Sequence, residues 1–264
     1  MELSDLEGSV VGPFSWHASP EAVADFITVS GDDAGRWVDH APPGFAAAAL
    51  FAVAPDLLDQ LFDRSIIHGE QSFGWDRPIP VEESLRVTGV VSRVRERGGV
   101  HFITFDTSAE LGEEPILGGR SLFLVSGESI PGGPPEFERP NPPHSYRGEP
   151  AEGQVGASRA DLIRYAAATR DWNPVHWDHD AGVAAGFPGV VVHGLLQAAW
   201  ALRAVTADTE SDRPVTDARF RFRSPLLPAR PVTVGIARQG SHADVELSDD
   251  DTEYMTAGIE LSDG

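Results

Sequence analysis

Residues 170–180 read RDWNPVHWDHD, which sets the carboxylate of Asp171 five residues before the imidazole of His176. Fully extended, that spacing would separate them by up to roughly 16 Å. The intervening Asn173-Pro174 argues against extension, because proline fixes its own φ, biases the preceding residue away from helix, and favours a turn after asparagine. A turn brings both side chains toward one small volume able to hold a water molecule. An imidazole titrating near neutrality beside a carboxylate is a competent acid–base pair. Two other readings compete. Asp171 can simply bracket a loop that carries an ordinary surface histidine. Alternatively, His176, Asp178, His179 and Asp180 form a dense run of metal-ligand types. His-x-x-His on a loop without a defined third ligand is a weak signature, so no metal is expected. Asp178 and Asp180 then read as solvated acids opening the next segment.

Shortly downstream comes GFPGVVVHGLLQAAW, in which Gly186, Pro188 and Gly189 permit tight turns and Gly194 opens an apolar helix. The N-terminus of a buried helix offers unpaired amides and partial positive charge. That is an anion hole suited to the enolate of a thioester. Acid, base and anion hole beside an apolar helix suit addition or removal of water next to an acyl carbonyl.

Positioning these groups requires a scaffold, and the chain supplies it twice. Phe73–Val87 reads FGWDRPIPVEESLRV and Phe220–Val234 reads FRFRSPLLPARPVTV. Without a gap, Phe73 falls on Phe220, Trp75 on Phe222, Pro78 on Pro225, Leu85 on Val232 and Val87 on Val234. Each copy is an alternating strand, a proline kink and a second alternating strand. Further strands, VHFITFDT and RSLFLVSG, then SHADVELS and TEYMTAGIEL, correspond in kind. Upstream of each set lies one helix apolar nearly all round, Pro43–Phe62 and His193–Val205, which must be buried on most sides. The pattern predicts an α+β tandem repeat, each half a sheet of about four antiparallel strands wrapped around one long buried helix. The halves are expected at 1–130 and 157–264. Between them, 131–156 holds seven of the 21 prolines and reads as a linker. The Asp171–His176 segment has a counterpart only half as long in the first half, AGRWVDHAPPG, so one site per chain is expected. On ARFRFRSP, Phe220 and Phe222 share one face and Arg219, Arg221 and Arg223 the other. Arg221 and Arg223 are candidate contacts for substrate phosphates, weighed against a solvated strand face. His68 and His40 read as structural, and His193 as positioning the helix start.

Composition narrows the classes. A net charge of −21 over 264 residues disfavours nucleic acid and anionic membrane as partners. Neither lysine nor cysteine is present, which removes Schiff-base lysines, thiolate nucleophiles, disulfides and Cys-ligated metals. The most apolar stretch, Phe45–Ala54, is about half of a bilayer span and the N-terminus is acidic, so a soluble cytoplasmic protein is expected.

DWNPVHWD followed by GFPGVVVHGLL resembles the hydratase motif of the MaoC-like family, the (R)-specific enoyl-CoA hydratases and 3-hydroxyacyl dehydratases. HAPPGFAAAAL and IIHGEQSFGWDRPIPVEESLRVTG are similar to the N-terminal region of double hot-dog relatives. The resemblance implies a tandem hot-dog fold with a catalytic dyad at Asp171 and His176. It also implies loop-shaping roles for Asn173 and Pro174, and a backbone amide near Gly194 that polarises the thioester carbonyl. Its implied chemistry is hydration of a trans-2-enoyl thioester to a (3R)-hydroxyacyl thioester, or the reverse. The substrate would be acyl-CoA, with acyl-ACP as the alternative, and no separate cofactor is implied. The first half would be a non-catalytic partner that accommodates the acyl chain. The chain would be a pseudo-dimer, standing alone or pairing again as a homodimer. Two departures stand out: Arg170 replaces the family's glycine before the aspartate, and Ala199 replaces a serine of the buried helix. A thioesterase and a non-enzymatic acyl-binding subunit are the rival functions.

Overall fold

The computed structural model describes residues 2–61, 64, 66–126 and 153–262. The first half runs β1 (Val10–Trp16), α1 (Pro20–Ser30), β2 (His40–Ala41), α2 (Ala46–Leu50), α3 (Ala54–Leu58), β3 (Ile66–Trp75), β4 (Ile79–Pro80), β5 (Leu85–Arg97), β6 (Val100–Leu111) and β7 (Glu114–Ser126). The second runs β8 (Gln154–Val155), α4 (Arg159–Thr169), α5 (His179–Ala184), α6 (Gly194–Thr206), β9 (Val215–Phe222), β10 (Val232–Gln239), β11 (His242–Ser248) and β12 (Glu253–Leu261). Ten of these strands form one sheet in the order β1-β5-β6-β7-β3-β9-β12-β11-β10-β8, and β2 pairs with β4 apart from it.

That order reads the same from either end once the halves are equated, with β3 and β9 paired at the centre. The register is diagnostic. Phe73 pairs with Ala218, Gln71 with Phe220, and Ser72 with Arg219, its own counterpart in the repeat. The ungapped match between the two halves is thus a pseudo-twofold axis through the sheet. Alternation places Phe220 in the core while Arg219 and Arg221 lie exposed on the outer face.

On the inner face α6 is covered nearly all round, with Leu195, Leu196, Trp200 and Leu202 buried. Each such side chain contributes roughly 2 kcal/mol of apolar burial. The two central helical segments touch where a Cβ on Gly44 would lie 3.0 Å from that of Ala199. On the same side α1 and α4 pack together through the tilted rings of Phe26 and Tyr165. Both outer helices have defined starts: Ser19 caps α1, and Ser158 and Asp161 form a capping box on α4.

Three expectations need correction. The helix expected over Pro43–Phe62 is broken: a 3-10 turn at Pro43–Phe45 and α2 are followed, after a 45° bend, by α3 and a second 3-10 turn ending at Leu61. Pro55 supplies the reason, since it lacks an N–H for the carbonyl of Phe51 and its ring collides with that carbonyl in a straight helix. Phe62 lies outside the described residues. Each half has five strands in the sheet, not four. The additional strands β1 and β8 are the two edges, one interrupted by Gly12-Pro13 and a register shift, the other two residues long. Finally, the linker expected over 131–156 ends earlier, because Val155 and Gln154 pair with Val232 and Thr233. Residues 131–152 lie outside the described residues. No single helix among the described residues is long and apolar enough to cross a membrane.

Candidate active site

The site begins at the end of α4. Arg170 adopts the left-handed conformation, φ 65°, and its N–H closes the helix onto the carbonyl of Ala166 at 2.7 Å. This reversal turns Asp171 inward, where it is 6% exposed. Asn173 then caps a 3-10 turn over Pro174–His176, its Oδ1 accepting from the amide of Val175 at 3.3 Å. The amide of Val191 donates to the carbonyl of Val175 at 3.1 Å, tying the turn to the segment before α6. Asp178 is not a solvated acid: its carboxylate caps α5, accepting from the amides of Asp180 and Ala181. The glycine of α5 is a packing requirement. A Cβ on Gly182 would lie 2.3 Å from the carbonyl oxygen of Gly189.

The turn brings Asp171 and His176 together with His193. One nitrogen or oxygen from each lies within 4.8 Å of the other two. A single water can bridge such a gap with two ordinary hydrogen bonds. His176 Nδ1 lies 2.9 Å from the carbonyl oxygen of Val191, and since a carbonyl only accepts, Nδ1 carries a proton. Nε2 is then the atom free to accept or deliver one. His193, at the N-cap of α6, is fully buried and stacks on His176 with ring centroids 3.8 Å apart. Its Nε2 donates to the backbone carbonyl of Asp171 at 3.3 Å. It therefore holds both members of the pair in place.

Burial dominates the electrostatics. It raises the Asp171 carboxyl above its ordinary range, while charge on His176 pulls the other way. It pushes His193 well below the usual imidazole value, which keeps that ring neutral. Burial and the charge of Asp171 together raise the Tyr165 hydroxyl.

A cavity of about 250 Å³ opens on this pair. The second half contributes Asp171, His176, Gly194, Gln197 and Phe222, and the first half contributes Phe51, Leu58, Ile66, His68 and Phe123. Gly194 is the first residue of α6, where amides have no intrahelical partner. A Cβ there would lie 3.0 Å from the Phe222 ring, so glycine lets the helix start reach the cavity wall. Gln197 is buried with its Oε1 unpartnered among the described residues. Of the candidate arginines, Arg223 lines the cavity and pairs with Glu253 at 3.3 Å. Arg221 faces the outer side of the sheet and pairs with Glu70 at 3.3 Å. Ala199 faces Gly44. His40, near Asp212 in the small β2–β4 pair, lies away from the cavity. His68, expected to be structural, lies on the cavity wall. No local sequence signal marked it, because its orientation depends on how β3 pairs.

Asp171 and His176 offer two metal-ligand atoms, but His193 does not complete a set. Imidazole lone pairs lie in the ring plane. Two rings stacked at 3.8 Å and 24° cannot aim theirs at one ion about 2 Å from each. A carboxyl and an imidazole this close, beside a helix N-terminus, can hold a water between them and exchange protons with it.

The family model of the MaoC like domain matches residues 128–258. The 3-hydroxyacyl-thioester dehydratase X of Mycobacterium tuberculosis is 29% identical over 223 residues, 82% of this chain and 75% of that one. The peroxisomal multifunctional enzyme type 2 of Drosophila melanogaster is 27% identical over 218 residues, 75% of this chain. The chain spans 36% of that enzyme's length. The crystal structure of HtdX from Mycobacterium tuberculosis superposes with a TM-score of 0.75 at 22% identity, over 96% of this chain and 100% of that one. The chain has the double hot-dog fold.

Proposed function

We propose, from the premise that residues 128–258 are a MaoC-like domain, that the protein is a hydratase/dehydratase interconverting trans-2-enoyl and (3R)-hydroxyacyl thioesters. The observation that carries this reading is the meeting of Asp171 and His176 at one cavity, beside the helix N-terminus that opens α6. In the hydration direction the pair holds a water. One member takes its proton as the oxygen bonds to C3, and the other delivers a proton to Cα, so the elements of water add across the double bond. The amide of Gly194 donates to the thioester oxygen, whose charge grows as the enolate forms. Dehydration is the same path reversed. No metal or separate cofactor takes part, and the names of the relatives above fit this chemistry.

The first half supplies Phe51, Leu58, Ile66 and Phe123, an apolar wall suited to an acyl chain. Coenzyme A is the favoured carrier of the acyl group; Arg223, on the cavity wall beside Glu253, is the candidate contact for its phosphates, whereas Arg221 pairs with Glu70 on the outer face. The acidic chain acts in the cytoplasm, away from nucleic acid and membrane, as a pseudo-dimer within one polypeptide that stands alone or pairs again as a homodimer.

Hydration of but-2-enoyl-CoA and a long-chain trans-2-enoyl-CoA by the wild type, Asp171→Asn and His176→Ala tests the proposal. Formation of (3R)-hydroxyacyl-CoA by the wild type, with loss by orders of magnitude in both variants, is expected. Release of free coenzyme A without hydration would instead indicate thioester hydrolysis. No turnover, or unchanged variants, would overturn the dyad.

A further inference from the structure

We infer that His68, contributed by the half without the dyad, is a specificity residue whose Nδ1 accepts a hydrogen bond from an N–H or O–H donor of the bound thioester. This rests on the function proposed above. Three features of the fold converge on that ring.

The first is a β-bulge. Pairing between β3 and β7 shifts so that His68 opposes Phe123 and Glu70 opposes Leu122, leaving Gly69 as an extra residue. Gln71, Phe73 and Trp75 alternate inward along β3. Continued without the bulge, that alternation would point His68 outward; the extra residue re-aims it into the cavity. The second is a polar relay behind the ring. The hydroxyl of Ser121 donates to Gln71 Oε1 at 2.6 Å, and Gln71 Nε2 donates to the carbonyl of Ser72 at 2.8 Å, which fixes the amide's orientation. His68 Nε2, 3.1 Å from the same Oε1, must therefore carry the ring's proton. Gln71 and Ser121 are both fully buried. The third is the setting. His68 packs against Phe123 and Phe222 with centroids 4.9 and 5.3 Å away, and burial lowers its pKa to about 4. At neutral pH the ring is uncharged, and with its proton on Nε2 the Nδ1 keeps its lone pair, on a residue that lines the cavity beside Phe51, Leu58 and Phe123. A phenylalanine would fill the same place without recruiting two buried polar partners. The relay makes sense if the ring's tautomer matters.

Two parts of the substrate carry such donors: a hydroxyl on the acyl chain, and the amides of the pantetheine arm. Two substitutions separate the ring's two nitrogens. An asparagine amide reaches the Nδ1 position and a glutamine amide the Nε2 position. KM and kcat are measured for but-2-enoyl-CoA, whose donors are all on the pantetheine side, and for 6-hydroxyhex-2-enoyl-CoA, which adds one on the acyl chain. The expected result is that His68→Asn stays close to wild type while His68→Gln raises KM about tenfold with kcat little changed. A defect with both substrates assigns the donor to the pantetheine arm; one confined to the hydroxylated substrate assigns it to the acyl chain. The reverse ranking of the variants would overturn the inference, because it would make the Gln71 bond the ring's only role. So would equal defects tracking a loss of thermal stability, or wild-type behaviour of both variants. If the wild type turns over neither substrate, the hydratase reading fails. Calorimetric binding of the saturated acyl-CoA analogues to the same three proteins then decides the role of His68 alone.

Discussion

Helix α1 is followed by Gly31 and Asp32, helix α4 by Arg170 and Asp171, and the two carboxylates have different surroundings. Asp32 Oδ1 accepts from the indole N–H of Trp37 at 2.8 Å and from the amide of Asp33 at 3.0 Å. Trp37 is buried, with the guanidinium of Arg36 stacked 4.2 Å from its ring. Arg203, reaching across from α6, donates to the carbonyl of Ser30 at 3.4 Å and closes the space beside Gly31. In the second half the loop is longer. Asn173 and Pro174 turn the chain so that His176, not a tryptophan, faces the carboxylate, and His193 is stacked behind it. A left-handed residue followed by an aspartate ends the helix in both halves, the aspartate half-buried in the first and buried in the second. The loop after it determines whether that aspartate meets a tryptophan indole or lies beside a histidine on the cavity wall.

The largest expected contrast is catalytic. Asp171→Asn or His176→Ala lowers kcat/KM for a trans-2-enoyl-CoA by about 10²- to 10⁴-fold, whereas Asp32→Asn leaves it within about twofold. Comparable losses from Asp32→Asn would show that the halves share the chemistry.

Next comes the response to pH, followed by thermal melting. His193 and His68 both have folded pKa values below the ordinary 6.5. The unfolded chain then binds protons that the folded chain refuses, so their contribution is complete above about pH 6.5 and is lost as pH falls below it, for His68 toward about 4. His68→Asn flattens the upper part of that loss. Asp171 has the opposite sign, because its folded pKa is raised. Its ionisation costs stability as pH rises through the folded value, so Asp171→Asn is more stable than wild type at neutral pH. The difference closes on acidification. A less stable Asp171→Asn at neutral pH would mean the carboxylate is structural, like that of Asp32.

Smaller effects test the helix ends. Trp37→Phe, which leaves Asp32 without its indole donor, costs about 1 kcal/mol in chemical denaturation and does not change turnover. Arg170→Gly relieves a left-handed non-glycine residue and gains about 1 kcal/mol. Gly31→Ala goes the other way, because φ is 71° and the new Cβ would meet an Arg203 nitrogen at 2.8 Å. Equal behaviour of Arg170→Gly and Gly31→Ala would break the equivalence of the two helix ends.

The Asp171–His176 segment was legible because its geometry is local. A proline turn acts over five residues, and no distant contact is needed to bring the ends together. The repeat was legible because period-two alternation survives in each copy, so that Phe73 on Phe220 could be read without a gap. His68 was not legible. Whether it faces in or out depends on the bulge at Gly69, a property of how β3 pairs with β7. Its role depends also on Ser121 and Phe222, remote in the chain. The edge strands β1 and β8 escaped notice because proline and shortness erase the alternation that identifies a strand.

The sequence by itself determined the two-fold repeat, the buried character of α6 and the turn that brings Asp171 and His176 together, since each arises from spacing or torsion within a short window. Only the tertiary structure decided that His193 stacks beneath His176, and that His68 and an apolar wall from the other half complete the cavity. Those depend on strand register and helix packing, which join residues far apart in the chain and are settled by burying both inner faces at once.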